Sequence, residues 1–129
     1  MRILVDTQCW LWMAASPEKL SADARSLVET MEHELFFSAA SAWEIAIKHA
    51  IGKLPLPEPP VRYVPTRLEA LRTIPLPIEH SHALRVAALP PHHRDPFDRL
   101  LVAQAQLEDL QILTADSVFE SYDVSVIAG

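Results

Sequence analysis

Apolar residues change their period along this chain, and the changes mark out its elements. Residues 2–5, Arg-Ile-Leu-Val, have the character of a short buried strand that stops at the polar trio Asp6, Thr7 and Gln8. An apolar segment with Trp10, Leu11, Trp12 and Met13 follows and ends at Ser16-Pro17. From Ser21 onward, Ala24, Leu27, Val28 and Met31 recur at helical spacing behind a serine N-cap. Residues 35–38 read as a second strand, and Ser41 opens a helix that runs through Ile51 to a natural stop at Gly52. Residues 53–60, Lys-Leu-Pro-Leu-Pro-Glu-Pro-Pro, are too rich in proline for a helix or a sheet interior and predict an extended, semi-rigid loop.

The helical signal resumes over 62–72, where Pro65 is expected to break or restart it. Residues 73–77 read as a short extended piece, and 79–89 as a helix closed by Pro90-Pro91. Pro96 suits the first turn of a helix reaching about Leu110. A strand at 111–114, a short turn or helix after Asp116 and a last strand at 124–127 complete the chain. Strands alternating with helices imply parallel pairing through right-handed crossovers, hence an α/β fold with a doubly wound sheet covered on both faces. Nothing divides residues 1–129 by repeat or composition, so a single domain is expected.

Composition narrows the picture. Half of the residues are hydrophobic and 22% are charged, which excludes a disordered chain. No apolar run approaches the roughly 18 residues of a membrane span. The opening Met-Arg-Ile-Leu-Val-Asp reaches an acid before a signal-peptide core can develop, so a cytoplasmic location and no membrane partner are expected. Cys9 is the one cysteine, which rules out an internal disulfide or a Cys-rich zinc site and fits a small buried side chain. A net charge of −6 disfavours plain electrostatic binding of nucleic acid. If RNA is handled, cations must offset the acids locally and the basic side chains must be segregated. Lys48, His49 and Lys53, and then His92, His93, Arg94 and Arg99, are the local basic concentrations.

In an open α/β sheet, ligands collect beyond the carboxyl ends of the strands. Asp6 ends the first strand, Asp116 follows the strand at 111–114, and Glu44 and Asp98 are expected in the first turns of their helices. Each has an ordinary explanation. Ser41 to Glu44 matches a capping box, Glu44 and Lys48 stand at i,i+4, Asp95-Pro96 reads as N-cap and first helical residue, and Asp6 and Asp116 are turn formers. Capping does not, however, require every cap to fall on one edge of the sheet. Carboxylates gathered there repel one another unless a cation joins them, and as hard oxygen donors they suit Mg2+ or Mn2+. Such a site polarises phosphoryl oxygens, which points to phosphodiester hydrolysis.

The segments Ile3-Leu-Val-Asp6-Thr7, Ser38 through Lys48, His93-Arg-Asp95-Pro-Phe-Asp98-Arg-Leu-Leu-Val-Ala-Gln and Leu113-Thr-Ala-Asp116 resemble the PIN-domain family, and within it the VapC-type toxins of bacterial toxin–antitoxin pairs. The likeness runs through nearly the whole chain in matching order and spacing. It implies a three-layer sandwich around a mostly parallel sheet and an Mg2+- or Mn2+-dependent ribonuclease. It also implies a cognate antitoxin and a homodimer. Asp6, Glu44, Asp98 and Asp116 match the family's acidic quartet as metal and catalytic residues, and Thr7 and Thr114 its nearby hydroxyls. Asp98 rather than Asp95 takes the third place because it precedes the apolar run Leu100-Leu-Val-Ala103, which leaves Asp95 as an N-cap or outer contact. Arg99, His93 and Lys48 are candidates for contacts to RNA.

Three rival readings accompany this one. A phosphatase with Asp6 as nucleophile usually needs a second aspartate two residues on, where Gln8 stands. A non-catalytic module that binds RNA or protein agrees with the acidic net charge. A histidine metal site is disfavoured because His80 with His82, and His92 with His93, do not share a helical face. Trp10, Trp12 and Trp43 are expected in the core, with Trp10, Trp12 and the 53–60 loop as the first places to seek a partner surface.

Overall fold

The computed structural model describes residues 1–129. Its sheet contains β1 (Arg2–Val5), β2 (Glu34–Ser38), β3 (Thr73–Leu76), β4 (Gln111–Thr114) and β5 (Val126–Ala128) in the order β3-β2-β1-β4-β5. Every pairing is parallel. The helices are α1 (Thr7–Ala15), α2 (Ala22–Glu29), α3 (Ala39–Ala50), α4 (Pro60–Ala70), α5 (His80–Arg85) and α6 (Pro96–Glu108). The chain winds outward from β1 through β2 and β3, then returns to the other side of β1 for β4 and β5. The winding reverses between β1 and β4, and an open sheet offers a ligand-binding crevice at such a reversal.

Alternation along the buried strands produces two cores. Ile3, Val5, Leu35, Phe37 and Leu113 face one side and pack with Trp10, Ala24, Ile45, Tyr63 and Val64. Leu4, Phe36 and Ile112 face the other and pack with Leu101, Val102, Ala105 and Phe119. The doubly wound expectation therefore holds, with period-2 strands buried on both faces. Trp10 is fully buried, stacks on Phe37 at 4.0 Å between ring centroids and donates its Nε1–H to Thr73 Oγ1. Cys9 is buried as expected, and burial pushes its thiol pKa up.

Several local expectations are corrected. The helix expected to open at Ser41 begins at Ala39, because Ser38 leaves β2 already extended and its Oγ accepts from Ala40 N–H. Ser41 is thus buried inside the helix, and Glu44 lies in the second turn rather than the first. Pro65 does not interrupt α4. The carbonyl it leaves without a helical partner belongs to Val61, 83% exposed and so open to solvent, while buried Tyr63 and Val64 anchor the helix. The helix expected over 79–89 ends at Arg85 and tightens into a 3-10 turn at Val86–Ala88. Pro90 and Pro91 have no N–H to carry the α-helical pattern to Val86 and Ala87, so Leu89 N–H closes a tighter turn on Val86 O, and Arg99 Nη2 also donates to the Val86 and Leu89 carbonyls.

The last strand starts at Val126 rather than 124, since Val124 N–H is consumed in a tight turn to Tyr122 O. In the 53–60 loop, Leu54 and Leu56 pack against the first core, and Glu58 pairs with Arg67. The loop's apolar side chains therefore serve its own fold. Trp43 is the exception among the tryptophans, 57% exposed with its ring edge-on to Phe97.

Candidate active site

Asp6 extends β1 by one residue, its N–H donating to Leu113 O at 3.0 Å, and at the same point caps α1. Its Oδ1 accepts from Cys9 N–H at 2.7 Å, and its Oδ2 accepts from the Thr114 hydroxyl. Thr114 Oγ1 also accepts from Asp116 N–H at 3.0 Å, so one hydroxyl ties together the acids that follow β1 and β4. Parallel pairing of these neighbouring strands makes this possible, since it ends both on the same edge. Asp116 caps the 3-10 turn Ser117–Ser121 through Val118 N–H and remains exposed.

Glu44 reaches the same edge from α3 and is buried. Thr7 Oγ1 lies 2.6 Å from Glu44 Oε1 and 2.8 Å from Ser41 Oγ. Thr7 has a single proton; when it donates to the carboxylate, the Ser41 hydroxyl donates to Thr7. The other carboxylate oxygen pairs with Lys48 one turn on, at 2.5 Å. Asp98 arrives in the first turn of α6, with Oδ2 2.8 Å from His93 Nε2. Asp95 is the α6 N-cap, accepting from Phe97 N–H and Asp98 N–H. Of the two readings kept for Asp95, the cap is present.

Asp6, Thr7, Glu44, Lys48, Asp95, Asp98 and Asp116 line one cavity of about 640 Å³, while Ser41, His93 and Thr114 stand behind its lining. Its lining holds five carboxylates, Asp6, Glu44, Asp95, Asp98 and Asp116, against two ammonium groups, Lys48 and Lys53. Burial raises the Asp6 pKa, with bonds from Thr114 and Cys9 offsetting part of the rise and the Glu44 charge adding to it. Burial likewise pushes Asp98 up to about 6, and Asp95 and Glu44 add to the shift while His93 opposes it. Lys48 is raised chiefly by its bond to Glu44. Negative charge thus exceeds what the chain itself neutralises. Hard oxygen donors with unrelieved repulsion fit a divalent cation. The Asp98, Asp116 and His93 ligand atoms lie within 4.8 Å of one another, close enough to share one ion.

The sequence reading missed three features of this site. His93 stands beside Asp98 across a loop, where helical spacing carries no information. Ser41 was read as a cap, and Lys53 only as part of a basic stretch. Lys53 lines the cavity after the turn at Gly52, whose φ of +78° favours glycine. Arg99 does not line the cavity. Its Nη1 donates to Pro90 O at 2.9 Å, to Tyr122 Oη at 3.2 Å and to His93 O at 3.4 Å, while Nη2 holds the carbonyls of Val86 and Leu89. Where a phosphate contact was expected, Arg99 clasps the loop that carries His93.

Residues 3–125 match the family model described as PIN domain. Ribonuclease VapC22 of Mycobacterium tuberculosis is 30% identical over 121 residues, covering 93% of this chain and 91% of that relative. Ribonuclease VapC16 of the same organism is 47% identical over 68 residues, but the match spans only 50% of this chain and 48% of that relative. Among solved structures, VapBC2 from Rickettsia felis, bound to a DNA fragment from the promoter, superposes with a TM-score of 0.72. That alignment covers 100% of this chain and 99% of that one at 11% identity, a likeness of fold.

Proposed function

The chain belongs to the PIN-domain family, and from that premise we propose that it is a metal-dependent endoribonuclease, the toxin of a toxin–antitoxin pair. The observation that carries the reading is the convergence of Asp6, Glu44, Asp98 and Asp116, from four separate elements, on one cavity at the carboxyl edge of the sheet.

In this reading Asp6, Asp98 and Asp116 hold Mg2+ or Mn2+, and Glu44 completes the carboxylate set. When bound, the cation supplies Lewis acidity at a phosphoryl oxygen and offsets charge that develops during hydrolysis. Thr114 orients the Asp6 carboxylate and, through Asp116 N–H, its neighbour. Thr7 and Lys48 hold Glu44 from either side, so the acid keeps one orientation rather than sampling rotamers. Lys48 is engaged there, which leaves Lys53 as the cavity's ammonium group for an RNA phosphate.

The partners follow the same reading. An antitoxin covers the acidic cavity, and a second copy of the chain pairs along α3. Trp43, Ile47 and Ile51, spaced four residues apart and all exposed, support that pairing. Light scattering on the purified chain reads its mass in solution, and a monomer at micromolar concentration removes the dimer.

Antitoxin-free protein is incubated with total RNA under Mn2+, Mg2+ or EDTA, beside the Asp6→Asn variant. Discrete cleavage that needs metal and falls by at least about 100-fold in the variant is expected. Asparagine caps a helix nearly as well as aspartate, so α1 survives the change. Equal cleavage by a folded Asp6→Asn protein would sink the scheme. Absence of cleavage by folded wild type under both metals favours a module that binds RNA or protein without cutting it.

A further inference from the structure

We propose that His93 supplies a nitrogen ligand to the divalent cation, so that the centre is a mixed imidazole–carboxylate site with His93 Nε2 beside Asp98 and Asp116. This rests on the metal-dependent reading above and departs from an all-carboxylate site. Two ligands in adjacent positions of an octahedral shell with bonds of about 2.1 Å stand about 3.0 Å apart. His93 Nε2 and Asp98 Oδ2 are 2.8 Å apart. The ligand atoms, an Asp116 oxygen included, lie within 4.8 Å of one another, against a diameter of about 4.2 Å for such a shell, so the exposed Asp116 carboxylate closes in by about 0.6 Å at most to share the ion.

The loop residue is also held for the purpose. His93 N–H donates to Tyr122 Oη at 2.9 Å, its carbonyl accepts from Arg99, and His92 packs edge-on against the same Tyr122 ring. Asp95 fixes the start of α6 between His93 and Asp98. Only Nε2 of the imidazole is engaged, so the tautomer with its proton on Nδ1 is available, and it presents a lone pair at Nε2. The contact to Asp98 accommodates either tautomer, and ligation through Nε2 requires the one with its proton on Nδ1. A borderline nitrogen donor favours Mn2+ and later transition ions over Mg2+, which keeps its waters and prefers oxygen.

The test uses the whole chain loaded with Mn2+ alone, as wild type and His93→Gln, with circular dichroism confirming that both are folded. Electron spin-echo envelope modulation of the bound Mn2+ should show coupling to a directly ligated 14N in wild type and none in the variant. Titration should show Mn2+ affinity falling by about 10-fold or more in the variant while Mg2+ affinity changes less. Bound Mn2+ without 14N coupling in wild type overturns the proposal and leaves His93 as a hydrogen-bond partner of Asp98, with the metal-dependent reading intact. Coupling that persists in His93→Gln overturns it equally. If wild type binds no Mn2+ at all, the metal-dependent reading fails with it.

Discussion

At the residue scale, capping and chemistry prove to be compatible uses of one side chain. Asp6 caps α1 and Asp116 caps the turn after β4, yet each also faces the cavity, because a carboxylate has two oxygens and several lone pairs. Asp98 is different, since burial rather than bonding dominates it. Its pKa of about 6 stands above the unfolded carboxylate value near 4, so the metal-free native state binds more protons than the unfolded chain. The stability that this group contributes is present below about pH 4 and is lost as pH rises through about 6. At most it amounts to about 3 kcal/mol. In EDTA, Asp98→Asn should therefore flatten the fall in Tm between pH 4 and 7. Metal binding requires the carboxylate, so the Mn2+-induced rise in Tm should shrink below about pH 6. A wild-type Tm in EDTA that climbs as steeply as that of Asp98→Asn over this range would contradict the assignment.

At the element scale, the segment from α5 to the start of α6 depends on one guanidinium. Arg99 reaches back from α6 to carbonyls at Val86, Leu89, Pro90 and His93 and to the Tyr122 hydroxyl. A planar fork with five donors meets several carbonyls at once, which a lysine cannot do. Arg99→Met should cost about 1–3 kcal/mol in urea denaturation, because several carbonyls lose a charged donor together. Unchanged stability with weakened RNA binding would return Arg99 to the phosphate role that its neighbourhood in the sequence implies. The 53–60 loop follows the same logic. Its prolines stiffen it, but Leu54 and Leu56 tie it to the core, so that it delivers Lys53 to the cavity rather than projecting into solvent.

At the scale of the whole molecule, a net charge of −6 opposes the approach of RNA, and the cavity is among the more acidic places on it. Of the two lysines that line it, Lys48 is paired with Glu44 and Lys53 has no carboxylate within salt-bridge distance. Lys53→Gln should raise KM for an RNA oligonucleotide, leave kcat within about twofold, and reduce the slope of log KM against log salt by about 0.7, the contribution of one single-strand phosphate contact. An unaltered salt slope would remove Lys53 from the RNA path. No helix is long and apolar enough to cross a membrane, and the exposed Trp43 and Ile47 of α3 continue to its C-cap Ile51 as a narrow stripe rather than a broad face.

What the sequence determined by itself is whatever local chemistry encodes. The short continuous apolar runs of β1 and β2, a proline at the first position of α6 and the glycine after α3 are read from neighbours a few residues apart, and they recovered the α/β alternation. The order of acids at strand ends pointed to one edge of the sheet for the same reason, because strand direction and residue position together say which end faces outward. Tertiary structure alone decided what depends on residues far apart. Ser38 displaced Ser41 as the cap, which left Ser41 free to meet Thr7 across 34 positions. The Thr114 bond to Asp6 spans 108 positions. The approach of His93 to Asp98, the route of Arg99 and the exposure of Trp43 follow from how loops and helices pack, and no periodicity along the chain carries that information.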